Sequence, residues 1–317
     1  MQLPQCYGYL IMKNKIWITG SNGLVGSTLI NVISSNDKYE VLKTSRKDFD
    51  QTEQSEVRKW VGENRPDTII ITSALVGGIH YNNSHQSDFL YENAMIYLNV
   101  IKAAHEASVK KIIFLGASCM YPKEAQQPFN ESSIMHGAVE PTNEGYAVSK
   151  ILGLKYIETL NKQHNMNHTC VIPAATYGPN DSFDENKNHV IPALIKKIHN
   201  AKIKNMKEVM LWGTGKPMRE FIYIKDLAEG IIHILENYQE HSPINLGSGI
   251  EVSIEKLASI ISYVIGYKGK INFDLSKPDG IGRKILDSSK INNLGWHPKV
   301  SLEDGIQLTY KNFISNI

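Results

Sequence analysis

Residues 15–30 read KIWITGSNGLVGSTLI. A β-branched run over 15–19 breaks into three glycines, Gly20, Gly23 and Gly26, and then into an apolar stretch of helical spacing. This strand, loop and helix predict the opening unit of an α/β fold with a Rossmann-type, doubly wound parallel sheet. In the G-x-x-G-x-x-G spacing one glycine allows a tight turn, one the backbone approach to a diphosphate, and one the close packing of helix on strand. The helix N-terminus adds N–H donors and a partial positive charge. Three glycines in a loop are common, so it is the strand before and the helix after that carry the reading. Gly20 to Gly26, with Ser21, Asn22, Leu24 and Val25 between, form the expected cradle of a dinucleotide.

Outward from this unit the pattern repeats. Strands are expected at 39–45 (YEVLKTS), 67–74 (DTIIITSA), 110–118 (KKIIFLGAS) and 168–179 (HTCVIPAATYGP), with helices at 88–109 and 146–164. The run at 67–74 is apolar throughout, as a strand buried on both faces must be. After about residue 177 the alternation loosens. The expected organisation is a loose leader over 1–12, a dinucleotide-binding domain over 13–176, and a smaller, mainly substrate-binding lobe over 177–317 with segments returning to the main sheet.

The chain has 317 residues, 42% of them hydrophobic, which is enough for such a core. A net charge of +2 with dispersed basic residues argues against nucleic acid or a membrane surface as main partner. No stretch approaches the roughly 20 apolar residues of a membrane span. Three cysteines, Cys6, Cys119 and Cys170, do not suggest a disulfide framework, so a reducing cytoplasm is expected. The histidines lack metal-ligand spacing, and no metal is expected.

The adenosine ribose of a bound dinucleotide should lie beyond the second strand, where the chain reads LKTSRKDFD over 42–50. Arg46, followed by Lys47, suits a 2′-phosphate and hence NADP, while Asp48 and Asp50 keep a free 2′-hydroxyl open. Tyr146 and Lys150 stand four apart at a helix start, on one face. A lysine ammonium nearby is expected to lower the phenol's pKa, so that Tyr146 can protonate a carbonyl oxygen.

With these residues the chain resembles the extended short-chain dehydrogenase/reductases, and within them the GDP-L-fucose synthase family. The matching segments are SALVGGI, NNSHQSDFLYEN, FLGASCMYPK, EPTNEGYAVSK, NHVIPALI, WGTGKPMREF and YKGKINFDLSKPDG, from about residue 13 to the end. The resemblance implies NADPH as hydride donor, a GDP-linked 4-keto sugar as substrate, Tyr146 as proton donor and Lys150 as holder of the nicotinamide ribose. It puts further cofactor contacts on Ala74, Leu115, Gly116, Ala117, Pro173, Thr176 and His189. It puts an epimerase acid–base pair on Cys119 and His189, and sugar-nucleotide contacts on Asn188, Lys197, Trp212, Arg219 and Asp279. It also implies a homodimer joined through a four-helix bundle.

Four positions depart from the family pattern: Ala117 stands for a serine, Leu75 for a lysine, Ala175 for an asparagine and Lys197 for an arginine. All four are expected around one pocket. Ser118 could stand in for the missing serine only if the strand end bends, since neighbours on a strand face opposite ways. The changes leave open fucose synthesis at altered efficiency, reduction of a related GDP-4-keto-heptose with epimerase activity reduced or absent, or an introduced substitution at Ala117. A non-catalytic NADPH-binding regulator would not need Tyr146 and Lys150. A UDP- or dTDP-sugar 4-epimerase or dehydratase is allowed by the fold and the Tyr–Lys pair, but a dehydratase would need a carboxylate pair that the segment ASCM lacks, and the matches at Cys119 and WGTGKPMREF point elsewhere.

Overall fold

In the computed structural model, residues 13–184, 189–277 and 279–317 are described. The expected leader, Cys6 and Asn188 lie outside them. Strands β1 (Asn14–Thr19), β2 (Tyr39–Lys43), β3 (Thr68–Ile71), β4 (Lys111–Leu115) and β5 (Thr169–Pro173) alternate with helices α1 (Leu24–Ile33), α2 (Gln54–Asn64), α3 (Ile79–Ser84), α4 (Gln86–Glu106) and α5 (Glu144–His164). There follow β6 (Ala175–Tyr177), α6 (Val190–Ile203), β7 (Glu208–Trp212), β8 (Met218–Tyr223), α7 (Ile224–Asn237), β9 (Ile244–Leu246) and β10 (Glu251–Ser253). Last come α8 (Ile254–Ile265), β11 (Lys270–Asp274), β12 (Arg283–Lys284), α9 (Ser289–Asn293) and α10 (Leu302–Ser315).

The main sheet runs β2-β1-β3-β4-β5-β9, and every pairing in it is parallel. Its inner strands are almost wholly buried: Ile16–Ile18, Ile69–Ile71 and Ile112–Phe114 expose nothing to solvent. The strand order reverses between β1 and β3, so the crevice for a ligand opens at their carboxyl ends. β9 arrives from the carboxyl-terminal half and completes the sheet beside β5. A second sheet sets β6, β10 and β12 around β8, and β7 pairs with β11.

Four expected strands end early: β2 at Lys43, β3 at Ile71, β4 at Leu115 and β5 at Pro173. β4 ends at Leu115, although Gly116 N–H still reaches Val171 O at 2.8 Å, and a Cβ at Gly116 would lie 2.9 Å from Cys170 Sγ. Beyond it Met120 N–H bonds back to Ala117 O at 3.0 Å, turning Ser118–Met120 into a 3₁₀ turn. The run at 168–179 splits: after β5, Ala174 N–H still reaches Leu246 O at 3.1 Å, and Ala175–Tyr177 then pairs with β8.

Buried polar groups tie the two halves together. Asn245 on β9 takes Tyr121 Oη–H on its Oδ1 at 2.6 Å and gives Nδ2–H to Phe129 O and Asp287 O, while its own N–H goes to Glu131 Oε1 at 2.9 Å. The buried Glu220 carboxylate accepts from Gly249 N at 2.7 Å and Leu286 N at 2.8 Å. Each satisfied bond removes the desolvation penalty of a buried polar atom. Among the described residues, no helix is long and apolar enough to cross a membrane, and no three His, Cys, Asp or Glu side chains gather to hold a metal ion.

At the opposite end of the sheet His168 is fully buried, its Nδ1 accepting Ile112 N–H at 3.1 Å. Burial, then the nearby Lys111 and His105, push its pKa down to about 4. The unfolded chain protonates this ring near pH ~6.5, so the contribution to stability is complete above that pH and is lost as pH falls toward 4, by about 3 kcal/mol. Urea midpoints measured from pH 7 to 4.5 should therefore fall more steeply for the wild-type chain than for His168→Asn; parallel slopes would remove His168 as the cause.

Candidate active site

The carboxyl ends of β1 to β5 open into one cleft of about 3090 Å³ that continues over the carboxyl-terminal half. A single small-ligand site measures roughly 300–1,000 Å³, so this cleft has room for two ligands end to end.

Its floor is the glycine loop. Gly23 N–H closes the turn on Gly20 O at 2.9 Å, and Ser21 Oγ–H anchors it to Ile18 O at 2.7 Å. A Cβ on Gly26 would stand 2.3 Å from Gly20 O, so only glycine lets α1 come this close to the loop. No side chain caps α1, and no acidic residue stands in its first turn, which leaves the helix end to an anion. Beyond β2, Asp48 folds back on its own turn, accepting from Ser45 N at 2.6 Å and Ser45 Oγ at 2.8 Å. Thr52 takes up Asp50 in the same way. These bonds hold both carboxyls below the usual range. Arg46 and Lys47 face the cleft, Arg46 in a loose, exposed contact with Glu92 at 3.8 Å.

Tyr146 and Lys150 rise from the first turns of α5. Lys150 is fully buried and donates to Leu115 O, the last carbonyl of β4, at 2.6 Å. Its Nζ sits 4.7 Å from the Tyr97 ring, 5.1 Å from Phe114 and 5.7 Å from Tyr146. Burial pushes the ammonium down to about 8, with the Cys170 and Cys119 thiols opposing. The expectation that Lys150 lowers the Tyr146 pKa is not met: burial, then Cys119, push the phenol well up. The ammonium's short contact is with the strand carbonyl, and burial weakens the charged form of both groups. Tyr146 is thereby held in its O–H form, the form a proton donor needs.

Past the end of β4 strict alternation no longer applies, and Ala117, Ser118 and Cys119 all line the cleft. Cys119 is buried, and burial pushes its thiol up rather than leaving it at or below the ordinary value. Lys284 and then Lys150 pull it back. Lys284, on β12 opposite Arg219 of β8, is a site residue that no sequence motif marks. Burial pushes its ammonium down, and Cys119 works against that shift.

His189 is the N-cap residue of α6, without a side-chain cap bond, and lines the cleft, as do Asp181, Thr176 and Pro173. At the far end stand Lys197, Trp212, Arg219 and Asp279, with Lys277 Nζ 5.7 Å from the Trp212 ring. Asp279 holds the Thr214 turn, accepting from its N at 2.8 Å and Oγ1 at 2.6 Å. Arg219 donates to Met218 O at 2.8 Å. The cleft thus gathers every described residue expected from the sequence to act in catalysis or to hold cofactor or substrate, Ala74, Leu115 and Gly116 included. Of the four departures, Ala117, Ala175 and Lys197 line it, but Leu75 does not. Its backbone is clamped by Asn93, with Leu75 N–H to Oδ1 at 2.7 Å and Nδ2–H to Leu75 O at 3.1 Å.

A glycine loop at the switch point of a parallel sheet, with a Tyr–Lys pair across from it, defines a dinucleotide-dependent enzyme of the short-chain dehydrogenase/reductase type. Residues 16–247 match the NAD dependent epimerase/dehydratase family. The chain is 44% identical to a GDP-L-fucose synthase of Sinorhizobium fredii (98% of each chain covered) and 41% identical to that of Escherichia coli (96% of this chain, 98% of the relative). Among solved structures, it is similar to a GDP-6-OMe-4-keto-L-xylo-heptose reductase from C. jejuni (TM-score 0.90, 30% identity, 96% and 99% covered). It is also similar to a GDP-mannoheptose C4 reductase from Campylobacter jejuni with NADP bound (TM-score 0.87, 32% identity, 95% and 98% covered). The chain belongs to the NAD dependent epimerase/dehydratase family, in the branch that holds the GDP-L-fucose synthases.

Lys284→Met removes the cation facing Cys119. The rate of iodoacetamide alkylation at Cys119, mapped by peptide mass at one mildly alkaline pH, should fall about 10-fold. An unchanged rate would show that the ammonium does not act on the thiol.

Proposed function

We propose that this protein reduces the C4 ketone of a GDP-4-keto sugar with NADPH, together with C3/C5 epimerisation, as in GDP-L-fucose synthesis. The observation that carries the reading is the meeting, in one cleft, of Tyr146 and Lys150 with Cys119 and His189. The relatives' names support the substrate class.

The cleft fits the dinucleotide: the loop has backbone where a Cβ would collide, the helix end is uncapped, and the acids that could oppose a 2′-phosphate are engaged in their own turns. Residues Gly20–Gly26 would hold the diphosphate, Arg46 with Lys47 the 2′-phosphate, and Lys150 the nicotinamide ribose. NADPH, when bound, supplies the hydride that reduces the ketone carbon. Tyr146 gives its phenolic proton to the ketone oxygen. Ser118, on the turn past β4, supplies the hydroxyl that Ala117 lacks and hydrogen-bonds that oxygen. For epimerisation Cys119, with Lys284 as counter-charge, removes the proton beside the ketone, and His189 returns one on the opposite face. Lys197 and Arg219 meet the diphosphate of the substrate, and Trp212 its base.

A second reading keeps this chemistry and changes the sugar to a heptose. The structural likeness to two GDP-heptose reductases supports it, as do Ala117 and Ala175, which put only methyl groups on the cleft wall. Exposed Leu90, Tyr91, Val148 and Leu152 on the packed helices α4 and α5 support a homodimer through a four-helix bundle. The sparse and odd count of three cysteines supports a cytoplasmic site of action.

With GDP-4-keto hexose and heptose substrates, reduced-nicotinamide absorbance should fall on mixing with the enzyme. Tyr146→Phe should slow this about 10³-fold yet leave solvent deuterium entering beside the ketone. In Cys119→Ser that uptake should stop. No turnover of any 4-keto sugar nucleotide by a protein that binds NADPH would refute the reductase; uptake unchanged in Cys119→Ser would remove Cys119 from the chemistry.

A further inference from the structure

The helix that carries Tyr146 is capped by another helix. The first N–H groups of a helix have no partner in their own turn, and the residue just before the helix usually supplies one. Asn143 holds that place before α5, yet it makes no side-chain cap bond, and its Oδ1 is buried without a partner among the described residues. Gln86, the first residue of α4, supplies the bond instead. Its Oε1 accepts Gly145 N–H at 3.1 Å, and its Nε2 donates to Pro141 O at 2.9 Å. One side chain thus ties down the first turn of α5 and the 3₁₀ turn before it, Pro141–Asn143.

The two backbones are equally close. A Cβ on Gly145 would stand 2.2 Å from Gln86 O, so only glycine fits there. Three residues along α4, on the same face as Gln86, Phe89 sets its ring edge-on to Tyr146 with centroids 6.2 Å apart. Phe89 meets Tyr81 of α3 edge-on at 5.6 Å. The first turn of α4 therefore holds Gly145 by hydrogen bond and backbone contact, and the next residue, Tyr146, by its ring. A small rotation of this turn is magnified at the phenol hydroxyl, at the far end of a long side chain. Lys150, one turn further on, has a separate anchor in Leu115 O. Gln86 itself does not line the cleft.

We propose that Gln86 is a positioning residue for Tyr146: by capping α5 from α4 it sets the height and rotation at which the phenol meets the ketone oxygen. It acts through the helix and touches neither cofactor nor sugar. This role rests on the reading of Tyr146 as proton donor.

Gln86→Met keeps the length of the side chain and removes both hydrogen bonds. The ring-carbon signal of Tyr146 in ¹³C-tyrosine-labelled enzyme, assigned by its loss in Tyr146→Phe, tests the contact without any substrate, and it should shift or split in Gln86→Met. The single-turnover rate of ketone reduction should fall about 10-fold, with the Kd for NADPH within about twofold of the wild type, because Lys150 keeps its own anchor. Gln86→Glu, which keeps an acceptor for Gly145 N–H, should recover part of the rate. In Tyr146→Phe/Gln86→Met the rate should match that of Tyr146→Phe alone, since a cap that acts through the phenol then has nothing to place. An unmoved Tyr146 signal, losses that multiply in the double variant, or NADPH binding that weakens in step with the rate overturns the proposal. If Tyr146→Phe reduces the ketone as fast as the wild type, the proton-donor reading fails, and the Tyr146 signal still decides whether Gln86 holds the ring.

Discussion

A cation taken wholly out of water sets the terms of this site. Lys150 has one short bond, to the carbonyl that ends β4, and a surround of three aromatic rings. A buried ammonium is tolerated only where acceptors and ring faces replace water. Much of the fold serves that requirement. Gly153 lets α5 approach β4 so closely that a Cβ there would lie 2.4 Å from the Phe114 ring. Tyr97 of α4 packs edge-on against Phe114 with ring centroids 4.9 Å apart. Because β4 ends at Leu115, its carbonyl is available to Lys150, and the chain beyond is free to turn Ser118 and Cys119 into the cleft. Tyr146, one helical turn before the lysine, is fixed by the same packing and by the Phe89 ring at 6.2 Å.

Burial also divides labour among the ionisable groups. It keeps the Tyr146 phenol protonated, as a donor must be, and makes thiolate formation at Cys119 depend on Lys284. The proposed proton donor and proton acceptor thus differ in what acts on them: burial and Cys119 on the Tyr146 phenol, and burial opposed by Lys284 and Lys150 on the Cys119 thiol. The two alanines, Ala117 and Ala175, mark where this chain gives up polar contacts on the wall, and Ser118 is the hydroxyl left beside them.

What is legible in the sequence is what local periodicity encodes. The first five strands, the glycine loop and the spacing of Tyr146 and Lys150 can be read because each depends on residues within a turn or two. What long-range pairing creates cannot be read in the same way. β9 reaches the main sheet through an Asn245 knot whose partners lie more than forty residues away. Lys284 reaches Cys119 only because a two-residue strand pairs with β8, and a lysine two residues after a glycine carries no signal of that. Leu75 lies off the pocket, against expectation, because a motif position says nothing of where the side chain goes once Asn93 has captured the backbone. The effect of Lys150 on Tyr146 differs from expectation because spacing shows that two groups are near, but not that a carbonyl is nearer.

The most direct test is turnover of a GDP-4-keto sugar by Lys150→Met, a change that keeps the stem and removes the charge. Loss of ketone reduction by about 10²-fold or more, with weakened NADPH binding and an unchanged far-ultraviolet circular dichroism spectrum, is the predicted result. Reduction within about threefold of the wild type, in a folded variant, would contradict it.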